Sequence, residues 1–198
     1  MNEERGTGNE ERGTRNEERG TDNPQSPVSS PQSPLSVGRF LGGVGALLHD
    51  GAGRYLLLRR AATKDFAAGV WECVTGRVDQ GEGFETAVRR EVREELGVDV
   101  SLDYLLGTTH FYRGTAVPDN ELIGVVYLCS LAGEPAIRLS AEHDDYRWVT
   151  AVAAADLLSA DDASTAWTRR LLTRAEEIRP LLSADLRRFN RREGFELG

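Results

Sequence analysis

The chain has 198 residues, a length that suits one folded domain or one domain with appendages. Its 32 acidic residues against 24 Lys and Arg give a net charge of −8, which argues against the broad basic footprint of a nucleic-acid binder. No apolar stretch approaches the ~18 residues of a membrane-spanning helix, and the N-terminus is too polar for a secretory signal. The two cysteines, Cys73 and Cys129, each sit inside an apolar run and read as buried, reduced thiols of a cytoplasmic protein.

From the N-terminus, residues 2–22 repeat a heptapeptide three times, as NEERGTG, NEERGTR and NEERGTD. The repeat carries no apolar residue at either seam position of a coiled coil, and each unit contains glycine. A Pro/Ser/Gln stretch follows to Ser36. Neither part can bury enough apolar surface to offset chain entropy, so 1–36 is predicted to be a disordered tail. The organisation expected beyond it is one folded domain over 37–180 and a C-terminal extension over 181–198.

The folded part opens with FLGGVGALLH over 40–49, a candidate central strand, then an Asp50-Gly51-Ala52-Gly53 turn and a return strand over 54–60. A loop over 61–69 leads to a strand over 70–75. Turn chemistry at Val78-Asp79-Gln80-Gly81 introduces a helix whose Phe84, Val88, Val92 and Leu96 form an i, i+4 apolar stripe. Glu85 lies near its start, where the dipole favours negative charge, and Gly97 suits a left-handed C-terminal cap. Strands are predicted over 98–105, 108–112, 122–131 and 146–149, with a polar loop containing Pro118 over 115–121. Helices are predicted over 151–158, 164–178 and 184–190. Mixed strands with several helices mean an α/β or α+β sandwich.

The chemistry gathers on the first of these helices. Glu91, Glu94 and Glu95 are spaced three and four apart, so one turn collects three carboxylates. Like charges that close repel unless something positive sits among them. Arg90 neutralises part of the charge, and a divalent cation does so better. Magnesium takes oxygen ligands and is often held by one or two carboxylates plus substrate phosphates. The segment therefore reads as a metal clamp for a phosphorylated substrate, with Glu91 and Glu95 the leading ligands and Glu94 the third. The plain alternative is a solvated Glu/Arg face on an amphipathic helix.

Gly76, Glu82, Arg90, Glu91, Val92, Glu94, Glu95, Gly97 and Val98 match the pattern G-x5-E-x7-R-E-U-x-E-E-x-G-U, where U is a bulky aliphatic residue. The segment resembles the Nudix box. That resemblance implies an α/β/α sandwich around a mixed sheet, and hydrolysis of a nucleoside diphosphate linked to another group with Mg²⁺ or Mn²⁺. It also implies that a Thr75 or Gly76 carbonyl completes the metal shell. Arg90 is expected to orient a glutamate, and Glu82 to support Arg90 or a metal-bound water.

Trp71-x-x-Val74-Thr75-Gly76, together with Glu142-His143-x-x-Tyr146-x-Trp148, is similar to the dihydroneopterin triphosphate pyrophosphatase branch, which also hydrolyses dATP. The likeness implies a further metal ligand at Glu142, set against a plain loop carboxylate there. His143 is expected at the surface or in a loop. Arg60 is a candidate phosphate contact, set against a solvated strand end. Phe66, Trp71 and Tyr112 are candidates to stack on a base or pterin, with core packing the competing reading for Trp71 and Tyr112. Trp148 and Trp167 read as structural.

The expected activity is cleavage of a dNTP or dihydroneopterin triphosphate to monophosphate and pyrophosphate. The alternatives are an ADP-ribose or nucleoside-diphosphate-sugar pyrophosphatase, a hydrolase for oxidised nucleotides, and a non-catalytic nucleotide-binding module. The expected partner is a small nucleoside polyphosphate, with no nucleic acid and no membrane. Monomer and homodimer stay open, as does the water-activating group among Glu91, Glu142 and the metal alone.

Overall fold

A strand alternates its side chains between two faces, and the apolar runs of this chain use both. In the computed structural model, which describes residues 38–63, 67–131 and 135–198, β1 (Leu41–His49) is the central strand. The tail over 1–36 and Phe66 lie outside the described residues. Along one edge β1 pairs in parallel with β6 (Glu121–Leu131), from Leu41 opposite Leu122 to His49 opposite Ser130. Along its other edge it meets two partners in succession. The first is β4 (Val74–Arg77), with Val44 opposite Gly76, and the second is β2 (Arg54–Arg60), with His49 opposite Tyr55.

β2 continues the sheet to β7 (His143–Thr150) and carries the short β3 (Trp71–Glu72). β5 (Val100–Tyr112) closes the far edge against β6. One parallel pair among antiparallel ones makes this the mixed sheet expected.

On one face, Val44, Ala46 and Leu48 of β1 with Leu56, Leu58 and Val74 bury Ala87, Val88, Val92 and Leu96 of α1 (Phe84–Leu96). On the other face, Leu47, Tyr55, Leu57 and Cys73 pack on α2 (Ala151–Leu157) and α3 (Ala163–Ile178) through Ala154, Leu171, Leu172 and Ala175. The result is the α/β/α sandwich. Val88, Val92 and Leu96 are fully buried. Each contributes roughly 1.5–3 kcal/mol by leaving water, so the stripe that secures α1 also sets the orientation of its acidic face. Cys73 and Cys129 are buried free thiols.

Two departures from the sequence reading have physical causes. The strands predicted over 98–105 and 108–112 are one strand, β5, whose register shifts between Leu102 and Tyr104 and again between Leu105 and Gly107. Gly107 marks an irregularity within a strand, where the sequence reading took the break for a strand end. The other concerns 181–198. Its helix α4 (Ala184–Glu193) packs on β5, and Asn190 Nδ2 donates to the Asp103 carbonyl at 2.8 Å. Beyond α4, the Phe195 ring lies 5.4 Å from that of Tyr127.

The C-terminal residues also hold the start of α1. Its N-cap, Gly83, has no side chain to accept from the first turn, and Glu196 Oε1 accepts from Phe84 N at 2.6 Å. In return Glu85 Oε1 accepts from Glu196 N at 3.0 Å and from Phe195 N. An orphan helix-start donor is thus satisfied from the far end of the chain. At the other end of α1, Gly97 adopts φ 68° as the left-handed cap.

Candidate active site

The acidic face of α1 is organised around one guanidinium. Arg90 donates from Nε to Glu82 Oε1 and from Nη2 to Glu82 Oε2, both at 2.9 Å, a two-pronged contact that fixes the plane of each group. Its Nη1 donates to Glu91 Oε1 at 2.8 Å and to Glu94 Oε2 at 3.2 Å, and Nη2 also reaches the Arg77 carbonyl at 2.8 Å. Arg90 thereby joins the loop before the helix, the end of β4 and two acids of the box. Hydrogen bonding to Glu82 first, and then to Glu91, raises the Arg90 pKa. The same Arg90 contact holds the Glu82 carboxyl below its ordinary value.

Glu91 lies directly over Gly76. A β-carbon at residue 76 would fall 1.9 Å from the Glu91 carboxyl carbon, so any side chain there would displace it. The carboxylate accepts from Arg77 N at 3.2 Å. Burial is the largest influence on Glu91 and raises its pKa, with Arg90 opposing.

Glu95 is the most exceptional of the set, being 5% exposed. Its Oε2 is buried without a hydrogen-bond partner, as is Nδ1 of His143. The two atoms are 3.8 Å apart, within ion-pair range and beyond a hydrogen bond. Burial first, and then the charges of Glu72, Glu91 and Glu142, push the Glu95 carboxyl well above the ordinary range. Beside it, Glu72 Oε1 accepts from Arg60 Nη1 at 2.9 Å and lies 3.3 Å from His143 Nε2.

A cleft of about 1850 Å³ opens over these groups. Arg60, Glu72, Gly76, Glu91, Glu94, Glu95 and Glu142 line it, and Tyr112 and Trp167 lie on its walls. The cleft therefore collects the box acids, Glu142, Arg60 and Tyr112 from the sequence expectations. Glu82 and Arg90 stand behind it.

Trp71 does not belong there and corrects the expectation of a stacking residue. It is buried on the α3 face, with the guanidinium carbons of Arg59 and Arg147 at 5.8 and 5.0 Å from its ring centroid. Alternation along β3 sends Trp71 to one face and Glu72 to the other. His143, expected at the surface, is buried as the first residue of β7. Trp167, read as structural, borders the cleft. Glu72 was missed altogether, although a lone acid inside the apolar run Trp71-Glu72-Cys73-Val74 is the kind of buried charge that marks a site.

Among the described residues no three His, Cys, Asp or Glu side chains are already arranged around one ion. Glu91 Oε1 is turned to Arg90, and the Glu94 side chain is 58% exposed at the rim. The donor set nevertheless fits a hard divalent cation. It consists of carboxylate oxygens, it includes a buried oxygen with no donor, and the missing side chain at Gly76 leaves the space Glu91 uses.

The NUDIX domain family matches residues 39–171. Nucleoside triphosphatase NudI of Klebsiella pneumoniae subsp. pneumoniae is 36% identical over 111 residues, covering 52% of this chain and 78% of the relative. Isopentenyl-diphosphate Delta-isomerase 2 of Photorhabdus laumondii subsp. laumondii is 34% identical over 129 residues, covering 62% of this chain and 70% of the relative. The crystal structure of a MutT NUDIX hydrolase from Burkholderia pseudomallei superposes with a TM-score of 0.55 at 28% identity, over 69% of this chain and 98% of that one. With its acidic box intact on α1 and the family match running across most of the folded residues, the chain belongs to the Nudix family of hydrolases.

Proposed function

We propose that this Nudix hydrolase is a Mg²⁺-dependent pyrophosphohydrolase, with Mn²⁺ as a substitute, that cleaves a dNTP or dihydroneopterin triphosphate to monophosphate and pyrophosphate. The observation that carries the reading is the buried Glu95 carboxylate, whose Oε2 has no donor, on the lining of a cleft of about 1850 Å³. An acid kept in that condition costs stability, and a bound cation offsets the cost. The similarity to NudI, a nucleoside triphosphatase, supports the substrate class, and the Trp71 and Glu142-His143 motifs support the pterin or dATP branch.

Glu91 and Glu95 would hold the cation, with Glu94, Glu142 and the Gly76 carbonyl as further oxygen donors. When bound, the cation neutralises phosphate charge and lowers the pKa of a coordinated water. Arg90 keeps Glu91 and Glu94 in place through its contact with Glu82, and the absence of a side chain at Gly76 leaves Glu91 its position. Arg60 offers a guanidinium to the phosphates, and Tyr112 flanks the base or pterin. In the reaction a water oxygen bonds to phosphorus and the P–O bond to the bridging oxygen between the α- and β-phosphates breaks. The water proton passes to Glu91, to Glu142 or to solvent, and the second phosphate departs within pyrophosphate. Little covalent help is asked of the protein, since positioning and charge stabilisation do most of the work in phosphoryl transfer.

We place the catalytic unit at residues 37–180, extended by 181–198, and the protein in the reducing cytoplasm. Its partner is a small nucleoside polyphosphate. The test is a panel of dNTPs, dihydroneopterin triphosphate, ADP-ribose, NADH, diadenosine polyphosphates and isopentenyl diphosphate, with Mg²⁺ and product analysis. Equal yields of monophosphate and pyrophosphate from a triphosphate are expected. Turnover confined to ADP-ribose would replace this reading with a diphosphate-sugar pyrophosphatase. Nucleotide binding without turnover would replace it with a binding module.

A further inference from the structure

A second cavity, of about 840 Å³, lies at the other end of β1. Gly43 and Gly45 of β1 line the cleft over the box, whereas His49, at the strand's end, lines this one. Its volume falls within the ~300–1,000 Å³ of small-molecule pockets. Among the described residues, four guanidinium groups border it, those of Arg54, Arg179, Arg187 and Arg191, against one lining carboxylate, Asp50. On a chain of net charge −8 this is a local reversal of sign.

The contacts of the four arginines separate those the fold uses from those it does not. Arg54 Nε donates to Asp50 at 2.5 Å. Arg191 is committed to the buried Asp103 at 2.6 Å and to Ser130 Oγ at 3.0 Å, which docks α4 on the sheet. Among the described residues Arg179 makes only long side-chain contacts, to the Tyr55 hydroxyl at 3.3 Å and to Glu176 at 3.4 Å. Arg187 is half-buried, and among the described residues the one hydrogen bond of its side chain goes to the Leu182 carbonyl at 2.7 Å, with no carboxylate in ion-pair range. A partly desolvated cation without a counter-charge is costly. Arg187 and Arg191 are one turn apart on α4 and face the same way. Tyr146 and Trp148 add aromatic surface to the wall.

We propose that this pocket is a second binding site, separate from the box, for a phosphate-bearing small molecule gripped by Arg179 and Arg187. Arginine forks match phosphate oxygens two at a time, and their charge supplies the term the pocket's own carboxylates leave unmet. The aromatic wall suits a base or sugar attached to the phosphate, so a free polyphosphate and a nucleoside monophosphate share the chemistry. The site stands on its own observations and does not depend on the substrate assigned to the box.

The test is calorimetric titration of inorganic pyrophosphate, and separately of AMP, into the full chain in EDTA at fixed ionic strength. The wild type is compared with Arg179→Gln/Arg187→Gln. Saturable binding is expected, weakened about tenfold or more in the double variant, where two charge-assisted contacts are lost. Turnover of the Mg²⁺-loaded double variant without added effector should equal that of the wild type. Tighter binding of AMP assigns the ligand to nucleotides, and tighter binding of pyrophosphate assigns it to bare polyphosphates. If the double variant does not fold, Arg187→Gln alone is read by the same titration. The proposal is overturned if the wild type shows no saturable binding, or if the variant binds both probes as tightly as the wild type.

Discussion

Glu95 and Asp103 are carboxylates buried in the same domain, and their surroundings put them in opposite states. Asp103, fully buried at an irregularity in β5, accepts from His49 Nε2 at 2.8 Å and from Arg191 Nε at 2.6 Å. Burial raises its pKa, and the bonds from His49 and Arg191 outweigh burial, so the net shift is downward. Glu95 is nearly as buried, keeps one oxygen unpartnered, and is driven upward by burial and by neighbouring acids. A satisfied buried charge ties elements together, here α4 to the sheet. An unsatisfied one leaves the fold with a deficit that a ligand can fill. The contrast sets Asp103, which ties the fold together, apart from Glu95, the acid proposed to hold the cation.

Exchanging each acid for its amide tests that division. Glu95→Gln is expected to lower kcat by more than the ~10–100-fold typical of losing a partner outside a metal's own ligands. Its metal-free stability should instead rise by roughly 1–2 kcal/mol, because a buried unpaired charge is removed. Thermal unfolding in EDTA beside Mg²⁺-dependent turnover reads both, and a destabilised variant with normal turnover would reverse the assignment. Arg90→Lys comes next. Lysine keeps the charge and loses the fork that holds Glu82 while contacting Glu91, so turnover should fall about 10–100-fold with the fold intact. Rates equal to wild type would remove Arg90 from the positioning role.

Asp103→Asn belongs to the other half of the comparison. It should cost about 3 kcal/mol in denaturant unfolding, since His49 and Arg191 lose the charge they face, while turnover of the folded fraction stays unchanged. The pH dependence has a defined sign. The folded pKa of Asp103 lies below its unfolded value, near 3.8, so its stabilisation is complete above that value. It is lost as the pH falls through the depressed folded pKa. The wild type and Asp103→Asn should therefore converge in stability in strong acid. Glu95 acts with the opposite sign. Its raised pKa stabilises the metal-free fold below the ordinary carboxylate range, and that contribution disappears as the pH rises through the folded value.

How much of this the sequence disclosed follows from the range of each signal. The helix bearing Glu91, Glu94 and Glu95 was legible because spacing along one helix is local. The strand, turn and return strand over 40–60 were legible for the same reason, as apolar runs joined by a glycine-rich turn. Such runs do not say which face holds the site. Trp71 therefore stood as a candidate for the ligand beside its core-packing reading, and Glu72 is the one that lines the cleft. The Glu72–His143 contact joins residues 71 apart, and no periodicity reports such a pairing. Gly107 interrupted the pattern of β5 without ending it, because the register shift is made against β6 and is invisible in β5 alone. Residues 181–198 looked like an extension because the groups they satisfy, at Asp103 and Phe84, are distant in the chain.

That last point carries the smallest expected effect. Helix α1 begins at a glycine that cannot cap it, and Glu196 accepts from the Phe84 amide in place of a local side chain. The contact is exposed, so water competes for it, and Glu196→Gln should cost about 1 kcal/mol or less while Glu196→Ala approaches the usual loss of an N-cap, roughly 1 kcal/mol. The more telling measurement is hydrogen exchange at the start of α1. If the C-terminus secures the helix that carries the box, amides near Phe84 should exchange faster in Glu196→Ala, while those around Val92 and Leu96 keep their protection because the apolar stripe holds them. Unchanged exchange near Phe84 would mean that packing of the stripe alone sets the helix, and that the Glu196 contact adds nothing to the positioning of Glu91 and Glu95.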